Sequence, residues 1–187
     1  MAKRKNTNIK RFKSNTKGGG AKTNETGLTF EQFVENKFVR DLEDAGYVVD
    51  GNKIIKDGRL YATRYSKHSL YNKLCKENGI NWKDKISGQK FPDDAILVHD
   101  TNTLHIIEKK YQETSGSKDE VIECPLFKVF VYTELLKDLD IKIKFTFVLN
   151  DWYRVENNKK YKDHYRFHST IGICHFFNEL PISHLGL

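Results

Sequence analysis

Residues 90–112 read KFPDDAILVHDTNTLHIIEKKYQ and combine two alternating apolar runs with a turn between them. The turn falls at Asp100-Thr101-Asn102, so the segment predicts an antiparallel β-hairpin. Two aspartates precede the first run, and a glutamate and two lysines end the second run. Apolar strands do not require charges at these places, so the ends of the hairpin are the first candidates for chemistry.

The register of this hairpin decides which carboxylates meet. Folding about Asp100 and Thr101 places Asp93 opposite Glu108, whereas folding one residue later places Asp94 there. Opposite residues on antiparallel strands have Cβ atoms roughly 4.5–5.5 Å apart. Two ionised carboxylates at that distance repel, and a divalent cation between them removes the repulsion. Hard oxygen ligands with no nearby cysteine favour Mg²⁺, with Mn²⁺ as a substitute.

Lysines follow the glutamate on the second strand. Lys110 lies two residues after Glu108, and side chains two apart on a strand project from the same face. Lys109 points to the other face. The pattern therefore predicts an ammonium group beside the paired carboxylates, where it can orient a water or stabilise charge on a phosphate.

A helix before the hairpin supplies further carboxylates. We predict that it begins near Leu28, with Thr29 and Gln32 as a capping box, and that Gly46 ends it. Glu31 and Glu35 lie one turn apart on this helix, at the border of its apolar stripe.

The remaining elements indicate an α/β fold with a mixed central sheet flanked by helices. Residues 47–55 predict a strand with an internal turn, and residues 119–138 predict a helix whose apolar side chains should be deeply buried. Residues 141–149, IKIKFTFVL, alternate most clearly and predict a strand. The expected order is helix, strand, strand, strand, helix, strand, abbreviated αβββαβ. The helix side chains expected in the core are Leu126, Phe127, Phe130, Leu135 and Leu136.

Composition points to a soluble protein that binds nucleic acid. The chain has 187 residues, a net charge of +7 and a pI of about 9.2. A basic protein of this size most often meets nucleic acid and less often an anionic membrane. Its apolar runs are far shorter than the ~20 residues of a membrane span. Three widely spaced cysteines without a CxxC pair favour a reduced, cytoplasmic protein.

Two basic segments are candidates for contact with DNA. Residues 1–27 hold eight Lys or Arg, one acid and a run of three glycines, which predicts a flexible arm. This arm is either a solvated tail or a segment that follows phosphates. Residues 28–187 form the predicted main domain, in which the basic and aromatic segment 56–90 is a predicted DNA-contacting insertion.

The hairpin and its flanking elements resemble the PD-(D/E)XK nuclease superfamily. The matching residues are Pro92-Asp93 and Glu108-Lys109-Lys110, in the order PD…ExK, and the expected element order matches the shared core of that family. The resemblance covers roughly residues 28–150 and is greatest to type II restriction endonucleases. The family's first helix often carries a further acid, a role open to Glu31 or Glu35.

The resemblance implies a mechanism and a set of ligands. Asp93 (alternatively Asp94) and Glu108 would bind Mg²⁺, with the Lys109 carbonyl as a further ligand and Glu31 or Glu35 completing the site. A metal-bound water, aided by Lys110, would attack the scissile phosphate in line. Gln112 is an additional candidate for holding a water or phosphate.

The expected function is therefore Mg²⁺-dependent hydrolysis of double-stranded DNA at a short specific site. A homodimer is expected because a two-fold protein matches a palindromic site, and a cognate DNA methyltransferase is a candidate partner. One alternative is a structure-selective or repair nuclease resembling a Holliday-junction resolvase, and another is a non-catalytic nucleic-acid-binding protein. The predicted DNA-binding residues are Lys3, Arg4, Lys5, Lys10, Arg11, Lys13, Arg59, Arg64, Lys67, Asn72, Gln89, Ser115, Ser117 and Lys118.

Overall fold

The structure is a computed structural model that describes residues 20–114, 122 and 125–187, with the backbone alone over residues 20–26. Within these residues seven strands form one sheet, in the spatial order β1 to β7. The strands are β1 Val48–Asp50, β2 Lys53–Lys56, β3 Arg59–Tyr65, β4 Asp94–Val98, β5 Thr103–Lys110, β6 Lys142–Leu149 and β7 Cys174–Phe177.

Four α-helices and several shorter helical turns surround this sheet in the described part of the chain. The helices are α1 Gly20–Asp44, α2 Leu126–Leu136, α3 Lys162–Thr170 and α4 Ile182–Leu185. A π-helical segment covers Leu70–Cys75, and 3₁₀ turns cover Trp82–Asp84, Lys137–Leu139, Asp151–Tyr153 and Lys159–Tyr161. No helix of the described residues has the length and apolar character that a membrane crossing requires.

The sheet is mixed, as predicted. Strands β1 to β5 pair antiparallel, whereas β5, β6 and β7 pair parallel. The predicted hairpin is β4–β5, and β5 lies between its antiparallel neighbour β4 and its parallel neighbour β6. The mixed α/β class with flanking helices is therefore confirmed, although the sheet has more strands than the expected order contains.

Alternate residues of the strands face two separate cores. On one face, Leu104, Ile106 and Phe147 pack with Tyr132 of α2 and Tyr71 of the π-helical segment. On the other face, Ile96, Ile107 and Val148 pack with the stripe Phe30, Val34, Phe38 and Leu42 of α1. We call these the α2 face and the α1 face, because the face to which a side chain projects decides which helix it meets.

Helix α1 begins earlier than predicted and ends where predicted. It starts at Gly20, so Thr29 lies inside the helix and the predicted capping box is wrong. Residues 20–27 are helical where a flexible arm was expected, because a helix anchored by its packed stripe extends at little cost until a residue stops it. Gly46 has a φ of +83°, and its backbone N–H donates to the Glu43 carbonyl. The N–H of Tyr47 donates to the Leu42 carbonyl, so the helix ends in a Schellman motif. Residues 1–19 lie outside the described residues.

The predicted insertion at residues 56–90 is partly a strand of the sheet. Residues Arg59–Tyr65 form β3, which pairs with β2 and β4, so this part of the prediction is corrected. The basic and aromatic composition hides the strand because a charged residue, Arg64, occupies a half-buried position in it. The connection from β3 to β4, residues 66–93, holds the π-helical segment and a 3₁₀ turn.

Helix α2 is less buried than its composition suggests. Leu135 and Leu136 are fully buried, but Leu126, Phe127 and Phe130 are exposed. The prediction of deep burial is therefore wrong for these three residues. Only one side of the helix faces the sheet. A sequence that is apolar on both sides of a helix does not show whether both sides are covered in the fold.

Candidate active site

The β4–β5 hairpin folds in the first of the two predicted registers. Val98 pairs with Thr103 and Asp94 pairs with Ile107, so the register places Asp93 level with Glu108. Glu108 and Lys110 project to the α2 face, at the carboxyl end of β5 and beside the parallel strand β6. The carboxyl ends of parallel strands are the usual place for ligand sites in α/β proteins.

The ammonium of Lys110 bridges the two carboxylates. Its Nζ atom lies 2.9 Å from Asp93 Oδ2 and 2.8 Å from Glu108 Oε2, and it donates to the Lys109 carbonyl at 3.1 Å. Asp93 Oδ2 also accepts a hydrogen bond of 2.7 Å from the backbone N–H of Lys109. The predicted residues Asp93, Glu108 and Lys110 are therefore brought together within direct contact.

A second lysine, Lys128 in the first turn of α2, completes the cluster and was missed by the sequence analysis. Its Nζ atom lies 2.7 Å from Glu108 Oε1, which leaves the carboxylate of Glu108 between two ammonium groups. The signal that points to Lys128 is positional, because the helix that follows β5 begins near the carboxyl end of that strand. A cation in its first turn is therefore placed beside Glu108.

Burial strengthens the electrostatics of this cluster. Glu108 is only 2% exposed, so its charge requires the paired ammonium groups. Burial alone would lower the pKa of Lys110, but the charges of Glu108 and Asp93 outweigh it and hold the pKa of Lys110 above its usual range. Burial raises the pKa of Tyr132, and the nearby charges of Glu108 and Asp93 raise it further.

Two tyrosines hold the segment that leads to Asp93. The hydroxyl groups of Tyr71 and Tyr132 donate to the Lys90 carbonyl at 2.8 Å and 3.1 Å, and the Lys90 N–H donates back to Tyr71 at 2.9 Å. The backbone three residues before Asp93 is therefore fixed from the α2 face. This attachment positions the carboxylate at the start of β4.

Asp94, the alternative ligand, belongs to a different cluster on the α1 face. Arg64 of β3 donates to Asp94 Oδ2 at 2.6 Å and to both carboxylate oxygens of Glu35, at 2.6 Å and 2.7 Å. Lys109 Nζ lies 3.7 Å from Glu35 Oε2. Adjacent residues on a strand project to opposite faces, so Asp93 and Asp94 are separated by the sheet.

The two helix carboxylates, Glu31 and Glu35, lie on the helix that packs against the α1 face. Glu35 pairs with Arg64 and Lys109 on the face opposite Glu108, and Glu31 lies one turn before it on the same helix. Burial would raise the pKa of Glu35, but Arg64 and then Lys109 lower it below its usual range. Arg64, a predicted DNA-binding residue, is half-buried, and its guanidinium pairs with the carboxylates of Glu35 and Asp94 instead of facing solvent.

Gln112 forms hydrogen bonds to neighbouring segments through both its side chain and its backbone. Its side-chain N–H donates to the Thr114 carbonyl at 2.6 Å, and its side-chain oxygen accepts from Tyr153 at 2.8 Å. Its backbone exchanges hydrogen bonds with the Asn150 side chain at the end of β6. The residue ties the end of β5 to the segment after β6, while one side-chain N–H and one lone pair of its side-chain oxygen are not used by these bonds.

The predicted DNA-binding residues are distributed over both ends of the sheet. Arg59 pairs with Asp100 at the hairpin turn, the end of β4 opposite Asp93. Lys67, Asn72 and Gln89 lie in the connection from β3 to β4, at the end where Asp93 lies. The others, apart from Arg64, lie outside the described residues: Lys3, Arg4, Lys5, Lys10, Arg11, Lys13, Ser115, Ser117 and Lys118.

The oxygen atoms around Lys110 suit a hard divalent cation. Lys110 Nζ contacts one oxygen each of Asp93, Glu108 and the Lys109 carbonyl, the three ligands that the family resemblance implies. Carboxylate and carbonyl oxygens are the donors that Mg²⁺ prefers, and Mg²⁺ usually completes its shell with water and phosphate. Among the described residues, no group of three or more Asp, Glu, His or Cys side chains is placed to hold a metal ion. A cation here would thus rely on two carboxylates.

Comparison of the chain with protein-family models, curated proteins and solved structures gives no match.

Proposed function

We propose that the chain is a metal-dependent endodeoxyribonuclease that hydrolyses phosphodiester bonds at the Asp93–Glu108–Lys110 cluster. The observation that carries the proposal is the Lys110 ammonium between two carboxylates at the carboxyl end of β5. Support also comes from the order α1, β3, β4, β5, α2, β6, to which the β1–β2 hairpin is an addition. This order of helices and strands is compatible with the αβββαβ core of the PD-(D/E)XK nucleases.

The cluster's own residues would divide the work between holding a cation and pairing with the phosphate. Asp93 and Glu108, with the Lys109 carbonyl, would hold Mg²⁺ or Mn²⁺ through oxygen atoms that already converge on Lys110. When bound, such a cation supplies Lewis-acid activation of a water and neutralises charge at the scissile phosphate. Because Lys110 and Lys128 both pair with Glu108, a cation that took the Glu108 oxygens would free their ammonium groups to pair with phosphate oxygens.

One feature departs from the family pattern. The carboxylate of Glu35 is engaged by Arg64 on the α1 face, so the proposed cation site has the carboxylates of Asp93 and Glu108 and does not include that of Glu35. The proposal therefore assigns Glu35, Arg64 and Asp94 to holding α1 on the sheet. By fixing Asp94, this cluster also fixes the adjacent Asp93.

The proposal has two finer forms that differ in substrate. The first is a type II restriction enzyme that cuts duplex DNA at a short palindrome, acts as a homodimer in the cytoplasm and is accompanied by a methyltransferase. The second is a structure-selective nuclease, which is favoured by exposed aromatic side chains beside the cluster, Phe91 and Phe127. A non-catalytic nucleic-acid-binding protein is the rival, because two carboxylates and two ammonium groups also balance in a structural ion-pair network.

Digestion of supercoiled plasmid and of branched DNA with Mg²⁺ tests these forms together. Discrete plasmid fragments support the restriction enzyme, and cleavage of branched DNA alone supports the structure-selective nuclease. Binding without cleavage of either substrate, over a range of Mg²⁺ and Mn²⁺ concentrations, would favour the non-catalytic protein. Lys137→Ala is the matched control for Lys110→Ala, because Lys137 is an exposed lysine paired with Glu134 after α2.

A further inference from the structure

Two aromatic side chains are exposed at the edge of the proposed active site. Phe91 lies two residues before Asp93 and is 41% exposed, and Phe127 lies next to Lys128 and is 58% exposed. Large aromatic rings gain most when they are covered, and exposed apolar patches commonly mark binding surfaces. These two rings flank the two chain segments that carry Asp93 and Lys128.

Each ring is carried by a segment that the structure fixes. The Phe91 ring lies 4.4 Å from the ring of His68 and 5.7 Å from that of Tyr71, measured between centroids. Tyr71 is in turn bonded to the backbone of Lys90. Phe127 is in the first turn of α2, which is fixed by the buried side chains of the same helix. Both rings are therefore presented on fixed elements.

The rings are interleaved with positive charge. Lys90 directly precedes Phe91, and its Nζ atom lies 5.5 Å from the centre of the Phe127 ring. Lys128 follows Phe127 and faces Glu108. Aromatic faces alternating with lysines match a nucleic acid strand, whose bases stack on the rings while its phosphates pair with the ammonium groups. A purely apolar protein partner would not use this charge, which agrees in sign with the net charge of +7.

We propose that Phe91 and Phe127 stack on unpaired bases of a DNA strand whose phosphate enters the Asp93–Glu108–Lys110 cluster. Bases in an intact duplex are already stacked on their neighbours, and exposing one costs a few kcal/mol. A surface with two aromatic faces beside the scissile bond therefore selects DNA with single-stranded nucleotides at that point, such as a fork, flap or gap. This inference rests on the proposed nuclease function and names its substrate class.

Binding without divalent cations tests the inference separately from cleavage. The full chain is titrated with single-stranded, forked and fully paired oligonucleotides of equal length that carry 2-aminopurine. Affinity is measured by anisotropy and stacking by quenching of the 2-aminopurine. The variants are Phe127→Leu and Phe91→Leu, which keep apolar bulk but remove the aromatic face. Phe33→Leu is the matched control, because Phe33 is 51% exposed on α1, the helix of the other face.

We expect the wild type and Phe33→Leu to bind single-stranded and forked DNA more tightly than duplex and to quench 2-aminopurine. Each of Phe127→Leu and Phe91→Leu should weaken that binding by roughly 5- to 100-fold and reduce the quenching. Equal affinity for intact duplex, unchanged in both variants, would overturn the inference. Loss of self-association in Phe127→Leu without a change in DNA affinity would also overturn it, since the ring would then serve a second copy of the chain.

Cleavage in Mg²⁺ is measured on the same oligonucleotides. If cleavage persists while the stacking readouts do not respond to the phenylalanine variants, the inference fails and the nuclease function stands. If stacking responds but no oligonucleotide is cut, the nuclease function fails and the binding surface stands. The two results are therefore distinguishable.

Discussion

The ammonium of Lys110 lies 2.9 Å from the carboxylate of Asp93, across the hairpin from the end of β5 to the start of β4. The same ammonium reaches Glu108, so one cation bridges two carboxylates that the hairpin register places level with each other. Removal of Lys110 leaves these carboxylates to repel, and a divalent cation can then take its place. We therefore expect the ammonium of Lys110 and a divalent cation to compete for the same two carboxylates.

Lys110→Ala should increase the stabilisation that Mg²⁺ or Mn²⁺ gives to the fold. Without the ammonium, a cation binds the paired carboxylates against less competition, and binding to the native state raises the unfolding temperature. Thermal unfolding with increasing metal checks this, and Glu35→Gln in the same assay should respond as the wild type does. If the unfolding temperature of Lys110→Ala does not change with either metal, the assignment of the Asp93 and Glu108 oxygens as metal ligands is contradicted.

Lys128→Ala should raise the affinity for Mn²⁺ while lowering the rate of cleavage. Its ammonium neutralises Glu108 at 2.7 Å, and its loss leaves more negative charge for the cation. The expected gain in affinity is roughly two- to fivefold, because Lys128 is only partly buried and solvent screens its charge. Electron paramagnetic resonance of free Mn²⁺ measures it, with Lys137→Ala as the control. A fall in Mn²⁺ affinity would show that Lys128 supports the site in another way.

Arg64→Met should strongly destabilise the fold. Arg64 pairs with both Glu35 and Asp94, and Asp94 is buried, so the substitution leaves the buried carboxylate of Asp94 without its cation. Loss of one partner of a buried ion pair costs about 3–5 kcal/mol. Arg59→Met removes an exposed ion pair with Asp100 and should cost about 0–1 kcal/mol. Urea unfolding compares the two, and equal losses would mean that the Glu35–Arg64–Asp94 cluster does not hold α1 on the sheet.

Acid should destabilise the protein through buried histidines. Burial, with the nearby positive groups His184 and Lys144, lowers the pKa of His105 to about 4, and burial lowers the pKa of His175 to about 3. An unfolded histidine titrates near 6.5, so between these values the unfolded state binds more protons and stability falls as the pH falls. For His105 the loss is on the order of 3 kcal/mol. His105→Gln should flatten the dependence of urea stability on pH from 6.5 to 4; an unchanged slope would contradict this origin.

The sequence pattern predicts those features that depend on local spacing. The period of two places Glu108 and Lys110 on one face, the turn at residues 100–102 locates the hairpin to within one residue of register, and Gly46 ends α1. It does not distinguish Asp93 from Asp94, because a shift of one residue reverses the face and only the folded hairpin decides it.

Features that depend on distant partners are missed for a physical reason. β3 was not recognised because Arg64 is tolerated there only through Glu35, 29 residues earlier, and Asp94, 30 residues later. The pairing of Glu35 with Arg64 and Lys109 is not predicted, since the spacing of Glu31 and Glu35 on the helix does not reveal which strand face either meets. Lys128 was overlooked because its contact with Glu108 arises from the placement of α2.

Hydrolysis of DNA with a divalent cation is the activity that we propose for the Asp93–Glu108–Lys110 cluster. The most direct measurement is sequencing of the DNA ends after incubation of plasmid and forked DNA with Mg²⁺ and the wild type, Asp93→Ala, Lys110→Ala or Lys137→Ala. We expect cleavage by the wild type and Lys137→Ala. In Asp93→Ala and Lys110→Ala, which we expect to remain folded, the rate of cleavage should fall by about 10²-fold or more. Cleavage that persists unchanged in both Asp93→Ala and Lys110→Ala, or its absence in the wild type, would contradict it.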